Sequence, residues 1–463
     1  MDTAPAAPSG GPAGGFDWSQ VLAHGIGGSK DLPLPLELTI AGAVAALTVS
    51  FTVLAVAWRS PRYSEQGGGR PAPASLARVV DSTWFTYLLR VLGMLAFLYT
   101  AMVATLGLDS LINPFFGIFY VLLWVGFVPL SLLFGPVYKA ISPVRTINLV
   151  FARLTGGDPD EGVLSYPSRL GLWPAAFGLY AFVWMELVYP FATELGPVRL
   201  WCAAYVAIML VGGALFGNSF YEKADPFEVY SSLAAKMSVW GRDPDGRLVV
   251  RSPLANLATL KVQPGLVAVT SVLFGSTAFD SFKDSTPWVK FIQGNEWVNA
   301  HGWAPQLVTN LALLGFVLLV ALVFSLGTIL TGVGPDQPRR ALPAAFAHSI
   351  VPIVIGYVVA HYLTYLLEVG EQTLIQMSDP LSNGSNWFGT ANWTPSYWFS
   401  YHPTLLASVK VLAVVVGHVV GVVAAHDRAI HLLPKRHQLT GQLSLLIAMI
   451  AFTIGGLYLL FAA

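Results

Sequence analysis

Apolar runs long enough to cross a hydrocarbon layer recur along this chain, separated by polar stretches. At about 20 residues per crossing helix, ten can be marked: 36–58, 84–107, 115–138, 171–195, 199–217, 264–282, 305–331, 344–368, 404–426 and 440–462. The pattern predicts an all-α fold, a polytopic transmembrane helix bundle of about ten spans. Residues 35–463 form its single helical domain, and residues 1–34 an extracytoplasmic disordered tail. The Ala/Pro/Gly-rich start of that tail has neither a basic n-region nor an apolar h-region, so it does not read as a conventional signal peptide.

The connecting stretches carry independent information. Arg59, Arg62, Arg70 and Arg78 follow the first run, Lys139, Arg145, Arg153 and Arg169 the third, and Lys223, Lys236, Arg242, Arg247 and Arg251 the fifth. Arg339 and Arg340 follow the seventh, and Arg428, Lys435 and Arg436 the ninth. Every basic cluster thus falls on one side, and the positive-inside rule then puts both termini outside. Two of these cytoplasmic segments, 140–169 and 218–264, are predicted to hold amphipathic helices against the membrane surface: Ser142–Leu154, and Tyr230–Trp240. Asp225 before Pro226 reads as an N-cap with proline at N1, and Gly241–Gly246 as a turn.

Composition narrows the function classes. Only 11% of residues are charged against 55% hydrophobic, and the formal net charge is zero. No basic face is available for nucleic acid. The one cysteine, Cys202, excludes a disulfide framework and a cysteine metal site. Phosphate-loop, nucleophile-elbow and H-E-x-x-H patterns are absent.

What remains is polar chemistry inside the apolar runs, where ionisable residues are costly and mark functional sites by default. Seven of the nine histidines lie in the last quarter of the chain. Depth along the helices sorts the polar residues into two sets. The outer set holds Glu186, Asp280, His361, Glu368 and Lys410, with His361 and Glu368 seven residues apart on one helical face. With His402 from the outer loop and His24 from the tail, it supplies the nitrogen and carboxylate donors of a divalent transition-metal site. There His361, Glu186, His402 and His24 are candidate ligands, and Asp280 or Glu368 the candidate general base. The plainer alternative pairs Lys410 with Glu186 across the bundle. The inner set, His348 and His418 at similar depth, allows a single haem b. An outer aromatic loop, 371–403, reads either as an interfacial belt or as a lid that admits a lipophilic small molecule.

Several segments resemble a family of bacterial polytopic membrane proteins catalogued as fenitrothion hydrolase or its components. They are Ala23-His24-Gly25 with Asp31-Leu32-Pro33, Ala224-Asp225-Pro226-Phe227, Ser378-Asp379-Pro380 with Trp387-Phe388-Gly389, and Gly417-His418 with Ala425-His426-Asp427-Arg428-Ala429. The resemblance implies hydrolysis of a lipophilic organophosphate ester at the bacterial cytoplasmic membrane, with a second membrane subunit as partner. It assigns no catalytic residue. The expectation is a multi-pass, metal-dependent membrane hydrolase working from the outer leaflet. A proton- or ion-coupled transporter, a haem- or quinone-linked electron-transfer subunit and an accessory subunit of a larger membrane complex are the alternatives.

Overall fold

The structure is a computed structural model that describes residues 28–331, 338–434, 438 and 440–461, of which the great majority are helical. His24, Lys435, Arg436 and His437 lie outside the described residues, as does the greater part of the 1–34 tail.

A helix occurs at each of the ten apolar runs. Seven are long and apolar enough to cross a membrane. They are α1 (Leu36–Ala57), α2 (Thr83–Leu106), α7 (Leu195–Phe216), α10 (Ala304–Ile329), α11 (Arg339–Gln376), α12 (Pro403–Leu432) and α13 (Thr440–Phe461). Between them come α3 (Pro114–Leu123) and α4 (Phe127–Phe134), one run bent by 43° at its break. The amphipathic α5 (Pro143–Thr155) and the helices α6 (Trp173–Leu187), α8 (Pro226–Ala235) and α9 (Leu266–Lys283) also lie among them, along with several shorter helices. The 15 residues of α6 rise only about 22 Å, short of a hydrocarbon core of about 30 Å. Most of α9 is buried, including Thr270, Ser271, Ser276, Thr277, Asp280 and Ser281. These two are inner helices, sheltered by neighbours and therefore free to be short or polar. The shell helices instead turn a row of large apolar side chains outward, such as Leu311, Leu318 and Leu322 of α10.

The second segment expected on the cytoplasmic side, 218–264, departs from its expected form. Asp225 is indeed the N-cap, accepting from the Phe227 and Glu228 amides, and Pro226 stands at N1. However, the helix ends at Ala235 and is buried on every side except Ser232. It is a helix of the core, not an amphipathic helix on a surface. At ten residues it has the length of a buried or re-entrant segment. Beyond it, Trp240–Arg242 (β2) and Leu248–Val250 (β3) form a hairpin around the 243–246 turn. Arg70–Pro71 (β1) adds to the far edge, giving a small antiparallel sheet in the order β1-β3-β2, with Arg70 opposite Val250. This sheet closes the lower end of the bundle. The aromatic loop closes the upper end, tied to α2 by Tyr99, which donates to the Met377 carbonyl at 2.7 Å.

Candidate functional site

Two helices, α9 and α11, bring the polar residues of the upper half together. Asp280 lies in the last turn of α9 and His361 in the middle of α11, and both are buried. Their side chains meet, with His361 Nε2 3.0 Å from Asp280 Oδ2. Tyr362 donates its hydroxyl to the same oxygen at 2.7 Å. On the other oxygen, the Lys283 ammonium stands 3.2 Å away, one helical turn along α9. The second imidazole nitrogen, Nδ1, meets the Ser281 hydroxyl at 3.0 Å, and Ser281 in turn meets Tyr357 OH at 3.1 Å. Asp280 thus has a cation and two further polar contacts around a carboxylate that would otherwise be too costly to bury.

Glu186, in the last turn of α6, is the exception. Both of its carboxylate oxygens are buried, and neither has a hydrogen-bond partner. It lies close enough to feel the charges of Asp280 and Lys283. Its charge is felt by Tyr120, Tyr230 and Tyr365. The proposed ion pair with Lys410 does not form as a hydrogen bond: Lys410 is buried on α12, but Glu186 accepts nothing from it. Asp284 is exposed just past α9 and feels the charges of Lys283, Asp280 and His361.

Two residues expected here stand apart. Glu368 takes a short hydrogen bond from Ser400 and so anchors the aromatic loop. The reason is a π-helical turn, Tyr365–Val369, within α11. Each such turn adds a residue to the helical repeat, so the seven-residue alignment of His361 with Glu368 is lost. His402 is exposed, held by its Nδ1 against the Trp398 carbonyl at 2.7 Å and packed at a tilt of 30° against the Trp398 ring. Lys283, Tyr362 and Ser281 join the centre beyond the residues that the sequence pattern predicts. The signal for the first was its i+3 spacing from Asp280, and Tyr357, His361 and Tyr365 mark one stripe at four-residue steps.

The residues present test the two cofactor readings unevenly. For a metal, Asp280 Oδ2 and His361 Nε2 converge and Glu186 stands near them, but among the described residues no three such side chains are placed to hold an ion. For a haem, His348 and His418 do not leave a slot. The helices bearing them touch through glycines at this level: a Cβ on Gly417 would lie 2.6 Å from the Pro352 carbonyl oxygen, and one on Gly421 2.7 Å from that of Ser349. His418 Nδ1 faces the Val414 carbonyl at 2.8 Å, and His348 Nε2 faces that of Ala424 at 3.3 Å. His426 bridges the Gln442 side chain and the Trp58 carbonyl, each at 3.1 Å, as a satisfied interhelical histidine.

The fold and site are those of a helical membrane protein with a buried acid–base centre. No family model, curated protein or solved structure matches the chain.

Proposed function

We propose that this chain is an ion-coupled membrane transporter, with the proton as coupling ion and Glu186, Asp280, His361 and Lys283 as its acid–base centre. The observation that carries this reading is Glu186. A carboxylate buried without a hydrogen bond needs a proton or a cation to remain there. The charges that act on it belong to Asp280 and Lys283, and Asp280 is bonded in turn to His361 and Tyr362, the kind of polar chain along which protons move in pumps and transporters. Interrupted helices support the same reading, since transporter sites are built at such breaks. The break between α3 and α4, the π turn at 117–123 and the π turn at 365–369 all lie beside the centre, and the two π turns pack on each other.

In this reading the chain crosses a bacterial cytoplasmic membrane ten times with both termini outside. The upper end then faces outward and the sheet faces the cytoplasm. Lipophilic small molecules and membrane lipid are the partners that such a site meets. Infrared difference spectra of the purified protein between acid and alkaline buffer test the proton on Glu186. A protonated-carboxyl band absent from Glu186→Gln is expected, and no such band in the wild type refutes the reading. In proteoliposomes, uptake driven by an inward proton gradient is expected to be lost in the same variant.

A second reading, the metal-dependent hydrolase acting with a second membrane subunit, is favoured by the 3.0 Å convergence of His361 Nε2 and Asp280 Oδ2. Such a metal would supply a Lewis acid and an activated water. Elemental analysis separates the two: a stoichiometric transition metal lost in both His361→Ala and Asp280→Asn favours the hydrolase.

A further inference from the structure

At the lower end the chain builds a second polar site, which the acid–base centre does not use. A cavity of about 1030 Å³ opens there between the loop after α1, the segment around β3 and the last turns of α12. Four arginines (Arg62, Arg70, Arg251 and Arg428) and two histidines (His348 and His431) line it, against the carboxylates of Glu65 and Asp427. Both carboxylates are already engaged. Asp427 accepts from the backbone amides of Arg62 at 2.7 Å and Tyr63 at 3.3 Å, and from the Trp58 indole at 3.1 Å. Glu65 is taken by Arg428.

Arg251 is the telling residue. It is 8% exposed, and its guanidinium donates to the Asn256 side chain at 3.1 Å, the Arg242 carbonyl at 3.1 Å and the Gly68 carbonyl at 3.5 Å. All three acceptors are neutral. A guanidinium cannot shed its proton to escape burial, so its charge is fixed in place with no carboxylate bonded to it. Arg62 adds a second positive charge from the loop, resting over the Trp58 ring at 3.9 Å. Lys236 nearby is held at about 8, below its ordinary pKa, first by burial and then by the charges of Arg251 and Lys261.

We propose that this cavity binds a phosphate-bearing anion, with Arg251 and Arg62 as its principal contacts. Arginine pairs with phosphate through two parallel N–H donors. The cavity has the size of a small-molecule site and exceeds a lone phosphate, leaving room for the group that carries it. Basic pockets between membrane helices take anionic lipid headgroups, and a soluble phosphate compound offers the same chemistry. The site stands independently of the transport reading.

The test uses the full chain in phosphatidylcholine nanodiscs, following its thermal midpoint in two arms. One replaces part of the lipid by phosphatidylglycerol, and the other adds inorganic pyrophosphate. At least one arm is expected to raise the midpoint saturably. Arg62→Gln and Arg251→Gln are expected to weaken that response roughly tenfold, the worth of a charge-assisted hydrogen bond. Arg78→Gln, an exposed cation in the same polypeptide connection, is expected to leave it unchanged. A phosphatidylglycerol response alone identifies a lipid headgroup, and a pyrophosphate response in neutral discs identifies a soluble ligand. No response in either arm, or an equal response in Arg62→Gln, overturns the proposal. Arg62 is exposed on its loop, so that variant carries the test even where Arg251→Gln fails to fold.

Discussion

Asp280 holds the upper site together, because Lys283, His361 and Tyr362 all converge on its carboxylate. Asp280→Asn keeps the shape but leaves a partly buried ammonium beside a neutral amide. Removing one partner of a buried ion pair costs about 3–5 kcal/mol. A correspondingly large fall in the midpoint of unfolding is therefore expected, measured in detergent by tryptophan fluorescence. Lys283→Met should cost less, because Lys283 is 21% exposed and its loss leaves His361 and Tyr362 on the carboxylate. Residue by residue, the sequence was informative about which charges are intramembrane and less so about which of them meet. Glu186, Asp280 and His361 fall at one depth because rise per residue is nearly constant. Depth alone places Glu368 and His402 with them, but a π turn in one case and a ring packed against Trp398 of its own loop in the other turn them away.

Among the elements, α8 is tied to α5 by one buried ion pair. Its Glu228 is 1% exposed and binds Arg145 of α5 through two bonds of 2.6 Å, clamping a core helix to an amphipathic one. Glu228→Gln is expected to destabilise the protein by about 3–5 kcal/mol, and the Arg145→Met/Glu228→Met double variant to recover most of that loss. A double-mutant cycle on unfolding midpoints checks both. Helix positions were legible because long apolar runs leave few alternatives. The burial of α8 was not: its Ser, Glu and Tyr residues look like a surface face until the neighbours that enclose them are known. The sheet was invisible for another reason. Strands of two and three residues, one containing Pro71 and another Gly241, are too short to show a two-residue alternation.

At the scale of the whole molecule, the lower end carries a pH-dependent contribution to stability. Lys236, which donates to Thr259 at 2.7 Å, has its pKa lowered from 10.5 to about 8 by burial, then by Arg251 and Lys261. Below about 8 it is charged in both the folded and unfolded chain, and folding bears the full cost of burying it. Between about 8 and 10.5 the unfolded chain holds the proton that the folded one has released, so this lysine makes stability rise with pH across that window. Lys236→Met is expected to flatten the rise and to add stability at neutral pH, read from unfolding midpoints across a buffer series. The same end also has an order of assembly. Arg70 pairs with Val250, and Asp427 grips the amides of Arg62 and Tyr63, so early, middle and late parts of the chain meet in one place. During synthesis, the loop after α1 emerges long before either of its partners and must wait for both. A chain truncated before Pro403 keeps its sheet strands but lacks the Asp427 clasp. Limited proteolysis is expected to cut it in the 58–70 loop, where the full-length chain resists. The basic cavity therefore cannot close until the last turns of α12 have been made, long after the loop that forms its other wall.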